Sequence, residues 1–482
     1  MLSSTLNKVS GNKVPTRRQV QLIVSLAMLA TVAVSLRAQD GTNPIEVSKW
    51  PTEKIILRDG QSYEGHIRHE TDEEIELVQI GRRPGQPLSL LVRWIAVDKI
   101  AEIHRLPPEQ RSILKGNIDR HKNRTRIAAR LREQVKLQER QTGKQLEFIY
   151  DGPWFSFVST TEESLTRDAI VRLEQMFAGY RTFIPPRKKP DQLLRIVLLN
   201  TLDEYLEYQR RANINIRNWA YFDAKNNEIV AGGQLARFTS QLRVAEQYHQ
   251  KLLKQQQELK ERERNKLSQK KRELQEAGAS NEEIRLLLRA AHKQESLRLD
   301  AQKEEIRQAK ESNGKLYQQQ FRLLYHEAFH AYLDNYVYDK TLQNVPRWLH
   351  EGWAQVFENG LLDAGTLRLD AADTVALVAL QTDLLGGSML PLENVIAASS
   401  QQYLVQHDNA ARSSNRIYLY SWGLAHYLTF QMQLLESDRL NKFVDASSGA
   451  ADPVTRFEVM VGMSVDQFQQ QWREKMLELT DG

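Results

Sequence analysis

The sequence contains no cysteine. This absence excludes disulfide bonds, thiolate metal ligands and a cysteine nucleophile at the same time. It does not decide the compartment, because a stable secreted fold can form without disulfides. Any metal site in this chain must therefore be built from other ligand types, such as imidazole and carboxylate groups.

Long hydrophobic runs are also scarce, and the sequence has a single one, Leu22–Leu36. Basic residues between Lys8 and Arg18 precede it and small residues follow it up to Ala38, which is the order of a secretory signal peptide. The run has about 15 apolar residues, whereas a membrane-spanning helix takes about 20. We predict that residues 1–38 are a signal peptide and that the protein is exported to the periplasm, the cell envelope or the extracellular space. The alternative is an uncleaved N-terminal anchor, which would keep the protein at the membrane.

Without residues 1–38, the chain has no excess of either positive or negative charge. The formal net charge is +5, and residues 1–38 contribute five basic side chains and no acidic one. The rest of the chain is therefore formally neutral. The basic isoelectric point is not an argument for a nucleic-acid partner, and we expect none.

The 482 residues are enough for about two to four domains. Residues 45–105 contain short apolar runs around a hairpin signal at Asp59-Gly60, and they predict a small five-stranded β-barrel of the SH3-like or Sm-like type. Such barrels can bind RNA or peptides. Without a clustered basic face, a structural or docking module is the preferred interpretation. Residues 106–144 are polar and basic, and they predict a helical linker.

The second half of the chain divides by composition into three parts. Strand-like and helix-like segments alternate over residues 145–235 and predict an α+β unit. Residues 236–314 are rich in Lys, Glu, Gln and Arg, with leucines seven residues apart and an interruption at "AGASNEE", which predicts an antiparallel coiled-coil hairpin. The hairpin is either a partner-docking arm or spacer, or a solvated hairpin that closes only on itself. Residues 315–482 are predicted to be mainly helical.

The sequence "LLYHEAFHAYL" contains two histidines four residues apart, His326 and His330. On an α-helix such positions differ by only about 40°, so both imidazoles project from one face and can bind one Zn²⁺. Glu327 lies about 100° round the helix, where it can accept a proton from a zinc-bound water without ligating the metal. The alternative is a pair of histidines on a helix surface, which the apolar residues around the motif argue against.

Two histidines leave a zinc site one protein ligand short, and a carboxylate is the usual third. The next predicted helix, in "VPRWLHEGWAQVFENG", supplies Glu351. Gly352 beside it would let two helices approach closely. Gln355 lies one turn after Glu351, where a supporting hydrogen bond to the ligand is expected. His350 is expected to face elsewhere, in a surface or supporting role.

The two motifs, HExxH at residues 326–330 and WLxEGxA at 348–354, together resemble those of the gluzincin zinc metallopeptidases. They look closest to the peptidase MA-like families of secreted bacterial proteins of undefined function. The similarity covers about residues 145–235 and 315–475, outside the barrel and the hairpin. It implies an α+β metallopeptidase domain with a zinc ion held by His326, His330 and Glu351.

The same resemblance implies Glu327 as the general base and a tyrosine that stabilises the oxyanion. Tyr420-x-x-Gly423 matches the pattern for that tyrosine, with Tyr418 as the alternative; a tyrosine that only packs in the core is equally compatible. No G-x-M-E-N-like segment is present, so we expect a general peptidase rather than an aminopeptidase. By analogy, "NEIVAG" at residues 227–232 would be the edge strand that binds substrate.

Two functions follow from these patterns. The first is a secreted zinc metallopeptidase that acts on peptides or proteins. The second is a non-catalytic envelope scaffold or binding protein, which uses the coiled-coil hairpin and the barrel to contact protein partners. An intact glutamate at position 327 favours the peptidase, because a purely structural site has no use for a base.

Overall fold

The structure is a computed structural model. It describes residues 50–82, 88–143, 145–216, 218–232, 234–280, 302, 304–306, 308–309, 321–338, 345–363, 365–369, 372–399, 402–403, 412–435, 437–445 and 452–480. The predicted signal peptide lies outside these residues. None of the helices in the described ranges is long and apolar enough to cross a membrane. The described chain has a mixed α+β architecture, as predicted.

An antiparallel sheet of five strands occupies the region predicted to be a barrel, in the order β4-β3-β2-β1-β5. The strands are β1 (Glu53–Leu57), β2 (Ser62–Glu70), β3 (Glu74–Gly81), β4 (Ser89–Ala96) and β5 (Ile100–His104). The prediction of a closed barrel is wrong for the described residues, because β4 and β5 are the two edges and do not pair. The helix that follows packs on one face of the sheet. Its Leu114 and Ile118 pack with Val78, while Leu77 belongs to a core that residues of the sheet form on the opposite face.

The predicted linker is helical only in its first part. Helices α1 (Pro108–Lys122) and α2 (Arg124–Gln134) are followed by strand β6 (Gln138–Thr142). All five residues of β6 are exposed, and the strand pairs with β7 across a turn in which Gly143 has a φ of 64°. Its polar composition lacks the alternation that identifies a half-buried strand, so only its main-chain pairing reveals it.

A second sheet has six strands in the order β10-β11-β9-β8-β7-β6. Its members after β6 are β7 (Gln145–Asp151), β8 (Phe155–Ser159), β9 (Leu194–Leu198), β10 (Ala220–Asp223) and β11 (Glu228–Ala231). Strands β8, β9 and β11 are parallel to one another. Strand β10 is an edge of the sheet and pairs antiparallel with β11. Helices α3 (Glu163–Phe183) and α4 (Leu202–Arg211) belong to the same unit. The residues of α3 that are buried recur at helical spacing, which is why this segment forms an amphipathic helix.

A long helix, α5 (Gln234–Glu276), occupies the Lys- and Glu-rich segment. Its 43 residues correspond to a length of about 65 Å. It ends in a turn in which Gly278 has a φ of 74°. Most of the predicted second arm lies outside the described residues. Those that are described are helical, and the Tyr248 hydroxyl donates a hydrogen bond of 2.7 Å to Glu305 Oε1.

The HExxH motif lies on helix α6, described at residues 321–332, which continues into a π-helical turn, Leu333–Val337. Helix α7 (Arg347–Glu358) follows, then a hairpin of β12 (Leu361–Asp363) and β13 (Thr366–Arg368). The remaining helices are α8 (Thr374–Leu385), α9 (Leu392–Ile396), α10 (Arg412–Phe430), α11 (Asp438–Asp445), α12 (Pro453–Val461) and α13 (Val465–Glu478).

Aromatic side chains hold α3, α6 and α7 together. Phe329 of α6 stacks on Phe357 of α7 with ring centroids 4.3 Å apart, and Tyr180 of α3 meets both rings edge-on. The Tyr180 hydroxyl donates to the carbonyl of Tyr325 at 2.9 Å. Aromatic pairs of this kind add about 0.5–1.5 kcal/mol each beyond the area they bury. These aromatic contacts fix the two motif helices, α6 and α7, relative to each other.

Gly352 allows a close helix contact, but with a partner other than the one expected. A Cβ atom at this position would lie 2.2 Å from the carbonyl oxygen of Ser421 and 2.7 Å from the Cβ of Ala425. Both partners are on α10. The glycine therefore brings α10, rather than α6, close to α7.

We expect Gly352→Ala to reduce the free energy of unfolding by about 1–3 kcal/mol, because α7 and α10 must separate to admit the methyl group. The matched control is Gly116→Ala on α1, where a Cβ would have nothing within 4 Å. There the gain in helix propensity should make the change neutral or stabilising by up to about 1 kcal/mol. Urea denaturation measures both. Equal effects of the two substitutions would contradict the close packing of α7 on α10.

Candidate metal centre

Helices α6 and α7 bring three potential metal ligands to one point. The Nε2 atoms of His326 and His330 lie 3.1 Å apart. Glu351 Oε2 is 3.4 Å from His326 Nε2, and Glu351 Oε1 is 3.6 Å from His330 Nε2. Among the described residues, these three form a group whose ligand atoms could hold a metal ion.

The separations between neighbouring ligand atoms are close to those of a tetrahedral site. Ligands bound about 2.0–2.1 Å from one ion lie about 3.3–3.4 Å from each other in a regular tetrahedron. The two Nε2 atoms are 3.1 Å apart and Glu351 Oε2 lies 3.4 Å from His326 Nε2, whereas the 3.6 Å contact to His330 Nε2 is made by the other carboxylate oxygen, Oε1. One ligand atom from each of the three residues lies within 4.8 Å of the others, so the predicted ligand set could hold one cation.

Glu358 orients the first histidine. Its Oε2 lies 2.6 Å from His326 Nδ1, which directs the Nε2 atom of the same ring toward His330 and Glu351. Glu358 Oε1 accepts a bond of 2.8 Å from Arg322 Nε, and Arg322 also bonds Asp373 Oδ2 at 2.8 Å. Burial opposes a charge on His326, but the carboxylates of Glu358 and Glu351 together raise its pKa well above its ordinary value. A carboxylate on the second nitrogen of a ligating histidine is the common support in metal sites.

Sequence analysis missed Glu358, although a signal for it was present. It lies two helical turns after Glu351, on the same face of α7. Gln355, which was predicted in the supporting role, contacts the main chain only. Its amide donates to the carbonyls of Glu351 and Tyr418, and no bond to the Glu351 carboxylate is found in the described structure. Gln355 therefore ties α7 to α10 rather than orienting a ligand.

Glu351 is a buried carboxylate whose charge is compensated. Arg347, one turn earlier on α7, places Nη2 2.6 Å from Glu351 Oε1. Burial alone would raise the pKa of Glu351, but His330, His326 and Arg347 hold it well below its ordinary value. Burial, together with the neighbouring His350, lowers the pKa of His330 to about 3. Glu351 and His330 are thus held in the forms that bind metals, whereas His326 would release a proton on binding a metal.

Glu327 lies beside this group without belonging to it. Its Oε2 accepts a bond of 2.8 Å from the backbone N–H of Phe222, on strand β10. Burial and the Glu351 charge raise the pKa of Glu327 to about 7, against the opposing effects of His326 and the Phe222 amide. The edge strand next to the centre is thus β10. The expectation that residues 227–232 form the edge is wrong, because β11 lies between β10 and β9.

The structure does not bring Tyr420 to the centre. Its hydroxyl donates to Asp383 Oδ2 at 2.5 Å and accepts from the Leu390 amide at 3.1 Å, and the residue is fully buried. Tyr418 points to the opposite side of α10, since positions two apart on a helix differ by about 200°. Burial, followed by the charge of Glu351, raises the pKa of Tyr418 above its ordinary value, and Glu327 contributes in the same direction. Tyr418, whose hydroxyl donates to the Tyr403 carbonyl at 3.4 Å, is therefore the tyrosine that the charges of the centre influence.

Comparison with known families gives one match. A family model described as "Protein of unknown function (DUF1570)" matches residues 322–448. The matched range contains all three potential ligands, Glu327 and both tyrosines. No curated protein matches the chain.

We expect Glu358→Gln to weaken Zn²⁺ binding by about 10–100-fold, because an amide keeps the size of the side chain but is a weaker acceptor for His326 Nδ1. Competition with a chromophoric chelator measures the dissociation constant. Glu393→Gln, at an exposed position on α9, is the control and should leave the affinity unchanged. Unchanged affinity in Glu358→Gln would show that this carboxylate does not support the ligand.

Proposed function

We propose that this protein is a zinc-dependent metallopeptidase, in agreement with the resemblance of its motifs to the gluzincins. The observation that carries the proposal is the position of Glu327, a partly buried carboxylate next to the ligands but outside the group that could hold a metal. Three ligands without a base would serve a structural ion equally well. A fourth residue, a non-ligating acid whose pKa is raised to about 7, is suited to proton transfer near neutral pH.

Zinc bound by His326, His330 and Glu351 would supply a Lewis acid for the scissile carbonyl and lower the pKa of the attacking water. The protein itself provides the proton transfers. Glu327 Oε2 is occupied by the Phe222 amide, so Oε1 accepts the proton from the attacking water and returns it to the departing amine. This hydrogen bond from the backbone amide fixes the Glu327 carboxylate in its orientation. The group can act in both steps because its raised pKa makes either protonation state accessible near neutral pH.

Strand β10 provides the edge along which an extended substrate is held. The Gly232 amide bonds the Trp219 carbonyl, and the antiparallel register pairs Ala220 with Ala231 and Phe222 with Ile229. Hydrogen-bonded and non-hydrogen-bonded pairs alternate along an antiparallel ladder, and Ala220 and Phe222 are in non-hydrogen-bonded pairs. Their main-chain N–H and C=O groups therefore point away from β11. The Phe222 amide reaches Glu327, which leaves the outward-facing groups of Ala220 beside the base. A peptide added to this edge would pass the metal ligands.

We expect chelator-sensitive cleavage of a denatured-protein or peptide library by the purified protein. Glu327→Gln should reduce the rate by about 10²–10⁴-fold, the usual contribution of general acid–base catalysis. Its Zn²⁺ affinity should stay at the wild-type value, which separates a catalytic loss from a loss of metal. Cleavage that resists chelation, or full activity of Glu327→Gln, would refute the mechanism.

Tyr418 is the proposed donor to the oxyanion. We expect Tyr418→Phe to lower kcat by about 10²–10³-fold, the cost of removing one such donor. The matched substitution Tyr420→Phe removes a hydroxyl from the same helix, two residues away. It should leave kcat within about threefold of wild type and cost about 1 kcal/mol of stability through its lost hydrogen bonds. The reverse pattern would restore Tyr420 as the donor.

A binding function remains the second candidate, and helix α5 is the observation that favours it. This 43-residue helix is largely exposed where its side chains are described, and it supplies no residue to the metal centre. The hydrogen bond between Tyr248 and Glu305 supports the predicted coiled-coil hairpin. Deleting residues 237–312 tests this role: an unchanged set of captured partners would argue against it.

Export, by the signal peptide or anchor predicted within residues 1–38, is part of both proposals.

A further inference from the structure

The two histidines of the centre are supported in different ways. His326 has the Glu358 carboxylate on its Nδ1 atom. The Nδ1 atom of His330 is buried, and no described residue offers it a hydrogen bond. A ligating imidazole without such a bond can turn about its last side-chain torsion, which would move its Nε2 away from the metal. Something other than a hydrogen bond must therefore hold this ring.

His350 is placed to do so. Its ring lies flat against the ring of His330, with centroids 4.3 Å apart and an angle of 4° between the planes. His350 directly precedes Glu351 on α7, so its backbone is as firmly fixed as that of the carboxylate ligand. His350 Nε2 lies 3.4 Å from Asp334 Oδ1, and Asp334 stands one turn after His330 at the start of the π-helical segment. The ring of His350 is thus held through its Nε2 atom by Asp334, while its Nδ1 atom has no hydrogen-bond partner among the described residues.

We propose that His350, anchored by Asp334, positions the metal ligand His330 by ring stacking in place of a hydrogen bond. The proposal rests on the metal centre of the proposed function, but not on peptidase activity. Stacking against a flat neighbour restricts the ligand ring to one plane, and in the observed orientation within that plane Nε2 faces His326 and Glu351. Helix α7 then contributes two things to the centre: one ligand, and the surface that orients another.

The test is the Zn²⁺ dissociation constant of the full-length protein, measured by competition with a chromophoric chelator. His350→Leu has nearly the volume of the native residue but no flat face, and it should weaken binding by about 10–100-fold, as loss of an orienting partner usually does. His350→Phe keeps the face and loses the nitrogens, and it should bind within about threefold of wild type. His104→Leu, on an exposed stretch of β5, is the control for a general effect of losing a histidine.

Asp334→Asn gives an independent check because it leaves both rings in place. It should weaken binding by a smaller factor, about 3–10-fold, in the wild-type background. In the H350F background, Asp334→Asn should not weaken Zn²⁺ binding further, because phenylalanine has no ring nitrogen with which Asp334 can interact. Far-UV circular dichroism confirms folding of each variant.

Three results would overturn the proposal. Wild-type affinity in folded His350→Leu would show that the ring of His330 needs no stacking partner. Equal weakening in His350→Leu and His350→Phe would show that the nitrogens of His350 matter, and not its flat face. A wild-type protein that binds no Zn²⁺ would remove the centre itself. Zinc binding without peptide cleavage would instead refute only the peptidase, and the comparison of variants would stand.

Discussion

The centre depends on one buried interaction, the approach of the Glu351 carboxylate to the imidazoles of His326 and His330. Glu351 is only 3% exposed, and a carboxylate in such a position is costly unless its charge is paired. Arg347 compensates that charge from the same helix at 2.6 Å. The interaction is possible only because α6 and α7 are held in one arrangement by Phe329 stacked on Phe357, while α10 packs against α7 at Gly352.

Around this interaction, each functional group takes its support from a different part of the chain. His326 is held by Glu358, whose other oxygen is bonded by Arg322. The proposed base, Glu327, is held by the amide of Phe222, more than a hundred residues earlier in the sequence. The long helix α5 lies between strand β10 and helix α6 along the chain.

Local rules account for the parts of the fold that the sequence predicted well. The spacing of His326, Glu327 and His330 needs only the geometry of an α-helix, and the pairing of Glu351 with them needs only a second helix nearby. The five strands of the first sheet also lie within the predicted range. Its open form was not predictable in the same way, because closure depends on the tilt and stagger of all five strands together. Strand β6 escaped prediction because polar, exposed residues carry no burial pattern.

The sequence by itself determined the candidate ligand set, the proposed base and the class of fold, since each follows from residue type and helical or strand periodicity. Only the tertiary structure decided which neighbours complete the candidate centre. Glu358 rather than Gln355 bonds a candidate ligand, Tyr418 rather than Tyr420 has its pKa raised by Glu351 and Glu327, and β10 rather than β11 is the edge. These choices depend on the rotation of one helix against another and on the order of strands in a sheet. Both are set by packing between distant segments, for which a single sequence contains no local signal.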